Sequence, residues 1–129
     1  MRIDGGNPTA LGPQLDPQAI ARTQEISRVF QALADPTRRA VLERLAQGPA
    51  STSELAEPFD MALPSFAQHL AVLEQCGLVH SHKKGRVRHF HLEPTALACA
   101  GDWVAEQRAL WGQRLDRLED YVSRTTPSD

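Results

Sequence analysis

Aromatic residues are scarce in this chain: four Phe, two Trp and one Tyr among 129 positions. Its core must therefore rest mainly on Leu, Val and Ala. Cysteine is scarcer still, limited to Cys76 and Cys99. Two thiols make no disulfide framework, which points to a reducing, cytoplasmic setting. No apolar run approaches the ~18 residues a membrane helix needs, so no membrane partner is expected. The N-terminus lacks a basic region followed by an apolar stretch, so no secretory signal is expected. No Gly-rich phosphate loop, nucleophile–base set or carboxylate pair can be assigned, which excludes an enzyme reading. Acid is missing from one long stretch. Between Met61 and Leu92 the only carboxylate is Glu74, against Lys83, Lys84, Arg86 and Arg88. That segment carries +3 in a chain of net charge −2, leaving −5 on the remainder. A basic patch on an acidic body can still follow phosphates, because screening confines each charge to roughly 8 Å at physiological salt.

The length fits one domain over residues 17–124, with an N-terminal tail (1–16) rich in Gly, Pro, Asn and Asp and a short C-terminal tail (125–129). A first helix is expected from about Pro17 to Ala34, with Ile26, Val29, Phe30 and Leu33 at helical spacing. Asp35-Pro36 ends it and starts a second helix, which Gly48-Pro49 stops. Ser51 and Glu54 have capping-box spacing and open a short third helix. A turn at Asp60-Met61-Ala62 leads to Pro64, which opens a fourth helix ending near Cys76 with Gly77 as its stop. Leu78 to Lys83 and Val87 to Leu92 read as a β-hairpin around Lys84-Gly85. Glu93-Pro94 opens a long last helix to about Ser123. The expected class is mainly α with a small β-hairpin.

The order helix, helix, short helix, turn, helix, hairpin, helix has a counterpart in specific residues. These are Ala34-Asp35-Pro36-Thr37-Arg38-Arg39-Ala40-Val41-Leu42-Glu43-Arg44-Leu45, Ser53-Glu54-Leu55-Ala56, Phe66-Ala67-Gln68-His69-Leu70, Val72-Leu73-Glu74, Gly77-Leu78-Val79 and Gly85-Arg86. Together, over about Phe30 to Leu92, they resemble the ArsR/SmtB family of winged helix-turn-helix repressors. The resemblance implies a homodimer joined through the first and last helices, with double-stranded DNA as partner. Its usual thiolate metal site is missing, since Ser53 to Glu57 contains no cysteine; its site on the last helix is missing too, since no histidine follows His91. The inducer is left open.

The fourth helix agrees with a DNA reader. Phe66, Leu70 and Leu73 share a narrow arc that must face the core, and Pro64, Gln68, Ala71 and Gln75 lie opposite. Gln68 can pair with an adenine edge in two places, and Ser65 sits in the first turn where it can meet a phosphate or a base. Leu63 stands where many relatives carry a polar residue, which favours contact with a thymine methyl or none. His69 flanks the buried arc and serves either packing or DNA contact. Leu63, Pro64, Ser65, Gln68 and His69 are thus the candidate reading residues. Lys83, Lys84, Arg86 and Arg88 at the hairpin tip are the candidate phosphate grips of the wing. Arg38 and Arg39 read as surface residues or intersubunit salt bridges.

The last helix carries Leu97, Val104, Trp111 and Leu118 at intervals of seven, with Leu115 and Val122 beside them. With Phe30 of the first helix, Val104, Trp111, Leu115, Leu118 and Val122 form the candidate dimer interface. A two-fold dimer sets two reading helices ~34 Å apart, on a pseudo-palindromic operator. No cofactor is expected, with one exception. His80, His82, His89 and His91 all fall in the hairpin. A two-residue turn at Lys84-Gly85 pairs Val79 with Phe90 and His80 with His89, and puts all four imidazoles on the outer face. Such a face suits a weak Zn²⁺, Ni²⁺ or Cu²⁺ site. Two other readings remain: a winged helix used only for protein dimerisation, and a metal-responsive repressor acting through these histidines. Cys76 and Cys99 read as small buried hydrophobes, with a thiol switch as the alternative.

Overall fold

The computed structural model describes residues 16–125. The expected tails, apart from Asp16 and Thr125, lie outside the described residues. The element order is α1 (Pro17–Leu33), α2 (Pro36–Leu45), β1 (Ala50–Ser51), α3 (Thr52–Ala56), α4 (Leu63–Gln75), β2 (Val79–Lys84), β3 (Val87–Leu92) and α5 (Pro94–Thr125).

Local chemistry sets most of the boundaries. Asp16, assigned above to the tail, caps α1 by accepting the Ala19 N–H at 2.7 Å. Asp35 accepts the Arg38 N–H at 3.1 Å and caps α2 in the same way. At α3 the capping box closes from both sides: Ser51 Oγ accepts from the Glu54 N–H at 3.2 Å, and Glu54 Oε1 accepts from the Ser51 N–H at 2.8 Å. Helix α4 begins at Leu63, one residue before the expected Pro64, behind Ala62, which makes no side-chain cap bond. It ends as the sequence suggests. Gly77 has φ +79°. The Gly77 N–H reaches the Glu74 carbonyl at 3.1 Å and the Leu78 N–H reaches the Leu73 carbonyl at 3.0 Å, a Schellman closure.

One side chain set fills the interior. Val29 and Ala32 of α1, Val41 and Leu45 of α2, Leu55 of α3, Phe66, Leu70 and Leu73 of α4, Leu78, Val79 and Phe90 of the hairpin, and Ala100 of α5 are all buried together. Phe59 follows α3 and packs against Phe66 with ring centroids 5.3 Å apart.

The hairpin register differs from the expected one by two residues. Val79 pairs with Leu92, His80 with His91, Ser81 with Phe90 and His82 with His89. The turn is Gly85-Arg86 between Lys84 and Val87, not Lys84-Gly85. Gly85, with φ +65°, is the residue with positive φ in this turn. That places glycine first in a type II′ turn, whereas the expected turn required Lys84 to leave the strand. A slip of two preserves which side chains face inward, so the four histidines still share the outer face. The sheet also gains a strand that the sequence did not signal. Ala50 pairs with Phe90 and Ser51 with His89, so β3 lies between β1 and β2.

Candidate nucleic-acid interface

Helix α4 turns Phe66, Leu70 and Leu73 into the core and leaves Pro64, Ser65, Gln68, Ala71 and Gln75 exposed. Leu63 at its start is 62% exposed, a large apolar side chain held out in solvent. The exposed arc carries no carboxylate. The one acid of the helix, Glu74, is engaged elsewhere: Ser81 Oγ of β2 donates to Glu74 Oε2 at 2.8 Å and itself accepts from Arg88 Nη1 of β3 at 2.9 Å. This relay ties α4 to the wing and offsets the only negative charge of the segment. Arg88 is thereby turned toward Ser81, while Lys83, Lys84 and Arg86 stand exposed at the tip.

His69 is half-buried and anchored within the chain. Its Nδ1 lies 3.2 Å from Arg38 Nη1 and 3.7 Å from Asp35 Oδ2. Arg38 also donates through Nε to the Ala32 carbonyl at 2.8 Å and through Nη2 to the Gln31 carbonyl at 3.0 Å. Arg39 donates to the Leu33 carbonyl at 2.7 Å. The two arginines thus donate to the last carbonyls of α1, and Arg38 links that end to α4. Arg38 is thus a half-buried tie within the chain rather than a surface or intersubunit group, while Arg39 stays at the surface as expected. Burial tends to raise the Asp35 carboxyl, but the Arg38 N–H and the nearby His69 and Arg38 side chains outweigh it and hold the group below its ordinary value. Arg38 was missed because its partners are backbone carbonyls six and seven residues back, which no side-chain pattern displays.

On the outer face of the hairpin, His80 and His91 lie ring against ring at 3.9 Å between centroids. His82 is 5.2 Å from His91 and 5.7 Å from His89. His80 Nε2 is 3.7 Å from Glu93 Oε1. Among the described residues no group of three His, Cys, Asp or Glu side chains is arranged to hold a metal ion as it stands. Both cysteines are free and half-buried, and both line one cavity of about 490 Å³ between α1, the end of α4 and the start of α5. Burial pushes the Cys76 thiol up, which keeps it protonated at neutral pH.

Helix α5 has 32 residues, a length of about 48 Å at 1.5 Å per residue. Ala100 is buried, but Trp111 is 65%, Leu115 63% and Leu118 57% exposed. Val104, Val122 and Phe30 of α1 are exposed as well, and Phe30 meets Trp103 edge-on at 5.8 Å. The candidate interface residues thus form an exposed apolar surface on α1 and α5.

Comparison with known proteins agrees with this geometry. The sequence profile of a family described as a helix-turn-helix domain matches residues 33–82. The chain is 48% identical over 71 residues to the HTH-type transcriptional regulator Rv2034 of Mycobacterium tuberculosis, a match covering 55% of this chain and 66% of that one. It is 34% identical over 79 residues to the transcriptional repressor SdpR of Bacillus subtilis, covering 61% of this chain and 88% of that one. Among solved structures, the ArsR family transcriptional regulator RHA00566 is 53% identical, with a TM-score of 0.68, over 70% of this chain and 93% of that one. A homodimeric winged helix-turn-helix DNA-binding domain of Mb0332 from Mycobacterium bovis is 25% identical with a TM-score of 0.56, over 91% of this chain and all of that fragment. From its element order, its wing and these relatives, the chain belongs to the ArsR family of winged helix-turn-helix transcriptional regulators.

Proposed function

We propose that the chain acts as a homodimeric repressor in the cytoplasm, binding a pseudo-palindromic DNA operator without catalysing a reaction. The observation that carries this reading is the exposed, carboxylate-free arc of α4 lying beside a wing whose tip presents Lys83, Lys84 and Arg86. Leu63, Pro64, Ser65 and Gln68 face the major groove, with Gln68 as the residue able to read an adenine by two hydrogen bonds. The wing cations grip phosphates, which position the protein and carry little sequence information. His69 supports the helix from its inner flank through Arg38 rather than touching bases. Arg88, turned toward Ser81, contributes less to the grip than the three tip cations. No helix among the described residues is long and apolar enough to cross a membrane.

The exposed apolar surface of α5 fits a second copy of the same chain. Trp111, Leu115 and Leu118 follow one another at helical spacing beyond the part of α5 that meets the core, and the Mb0332 domain of like fold is a homodimer.

Selection of bound sequences from a random DNA pool, followed by gel-shift titration, tests the reading. Gln68→Ala is expected to relax the preference and cost about 1–3 kcal/mol on the selected site. The double variant Lys84→Ala/Arg86→Ala is expected to weaken all DNA alike and flatten the salt dependence. Equal binding by the wild type and both variants overturns the assignment.

A further inference from the structure

We propose that the outer face of the wing holds a divalent transition-metal ion of the zinc, nickel or copper(II) group, with His82 as the central donor and His91 and His89 beside it. Imidazole nitrogen is a ligand these three cations share. Two imidazoles that bind one metal through nitrogens about 2.0–2.1 Å away hold their ring centres about 5–6 Å apart at a tetrahedral angle. The separations of His82 from His91 (5.2 Å) and from His89 (5.7 Å) both fall in that span. The pair His80 and His91, at 3.9 Å, is too close to share an ion, and His80 instead leans toward Glu93.

Three further observations point the same way. The backbone fixes the cluster: His82 stands directly opposite His89 and His80 opposite His91 across a continuous antiparallel ladder. Strand β3, which carries two of the donors, is the central strand, paired with β2 along its length and with β1 at His89 and Phe90. The Nε2 atom of His91 is buried and has no hydrogen-bond partner, an unusual state for a ring nitrogen. The three rings do not yet meet at a point. Turning them about the Cβ–Cγ bond, whose energy wells are broad, brings the nitrogens together, and water completes the coordination.

The test uses the full-length protein without an affinity tag and without DNA, so its failure leaves the DNA-binding reading untouched. Calorimetric titration with Zn²⁺, Ni²⁺ and Cu²⁺ is expected to show one ion per chain for at least one of them. His82→Ala, at an exposed position, is expected to weaken binding at least tenfold while the far-ultraviolet circular dichroism stays unchanged. A Cys76→Ser/Cys99→Ser double variant is expected to bind like the wild type. In nuclear magnetic resonance, substoichiometric Cu²⁺ should broaden the ring signals of His82, His89 and His91 and spare those of His69. No binding by the wild type to any of the three ions overturns the proposal. So does undiminished binding by His82→Ala, loss of binding in the cysteine variant, or equal broadening of His69.

Discussion

Arg38 concentrates several roles in one side chain. Its guanidinium closes two carbonyls at the end of α1 and meets His69 of α4, while its own N–H is accepted by Asp35. Removing it takes the side-chain donor from the part-buried Ala32 carbonyl, while the Gln31 carbonyl keeps the Ala34 N–H, and frees the inner flank of α4. Hydrogen bonds to a charged group contribute about 1.5–3 kcal/mol, so Arg38→Ala is expected to lower stability by that amount in urea unfolding. Arg39→Ala, which removes a donor to a single exposed carbonyl, is expected to cost about 0.5–1.5 kcal/mol. Equal losses for the two would show that Arg38 is only another cap. None of this was visible in the Ala34-to-Leu45 stretch as a string. It shows two adjacent arginines, and only the fold reveals that the first turns inward and the second outward.

Among the elements, the junction of α4 with β2 rests on Gly77. Its φ of +79° is open to glycine and costs other residues about 1–2 kcal/mol. An added Cβ would meet Ala96 Cβ at 3.7 Å, an ordinary contact, so the backbone alone sets the penalty. Gly77→Ala is therefore expected to lower stability by about 1–2 kcal/mol in denaturant unfolding, and Gly77→Asn by less. If Asn costs as much as Ala, the space around position 77 rather than its backbone is limiting. This junction was legible because its signal is local: a glycine after a helical run, like Asp35-Pro36 at α2 and Ser51 with Glu54 at α3. The hairpin register was not. A slip of two leaves inward and outward residues unchanged, so the pattern of Val79, Phe90 and Leu92 could not choose between registers. Phe90 meets Ala50 on the other side, and a strand of two residues leaves no periodicity to read. The four histidines still share one face, because facing depends on parity alone, but the expected pair His80 and His89 is replaced by His80 with His91 and His82 with His89.

In the whole molecule, charge and apolar surface are sorted to different places. The α4–wing segment carries the positive charge, and most exposed large hydrophobic side chains of the described residues lie on α5. Trp111, 65% exposed, sits midway along that stripe. Placing a carboxylate there would bury an unpaired charge in a subunit seam. Trp111→Glu is expected to convert a dimer to monomers in sedimentation or light scattering at micromolar concentration and to lose operator affinity with it, whereas Gln68→Ala is expected to lose operator affinity while remaining a dimer. A wild type that sediments as a folded monomer removes this account of α5.

The small sheet ends on β2, whose far side has no neighbouring strand among the described residues. An open edge of this kind invites a second molecule to extend the sheet, a route to fibres rather than to closed pairs. Lys83 and Lys84 stand on that edge, and two copies aligned strand to strand would set like charges against each other. The same lysines that face phosphates in the proposed complex therefore also keep the protein from polymerising through its wing, and charge-neutral replacements there should be checked for aggregation in concentrated solution.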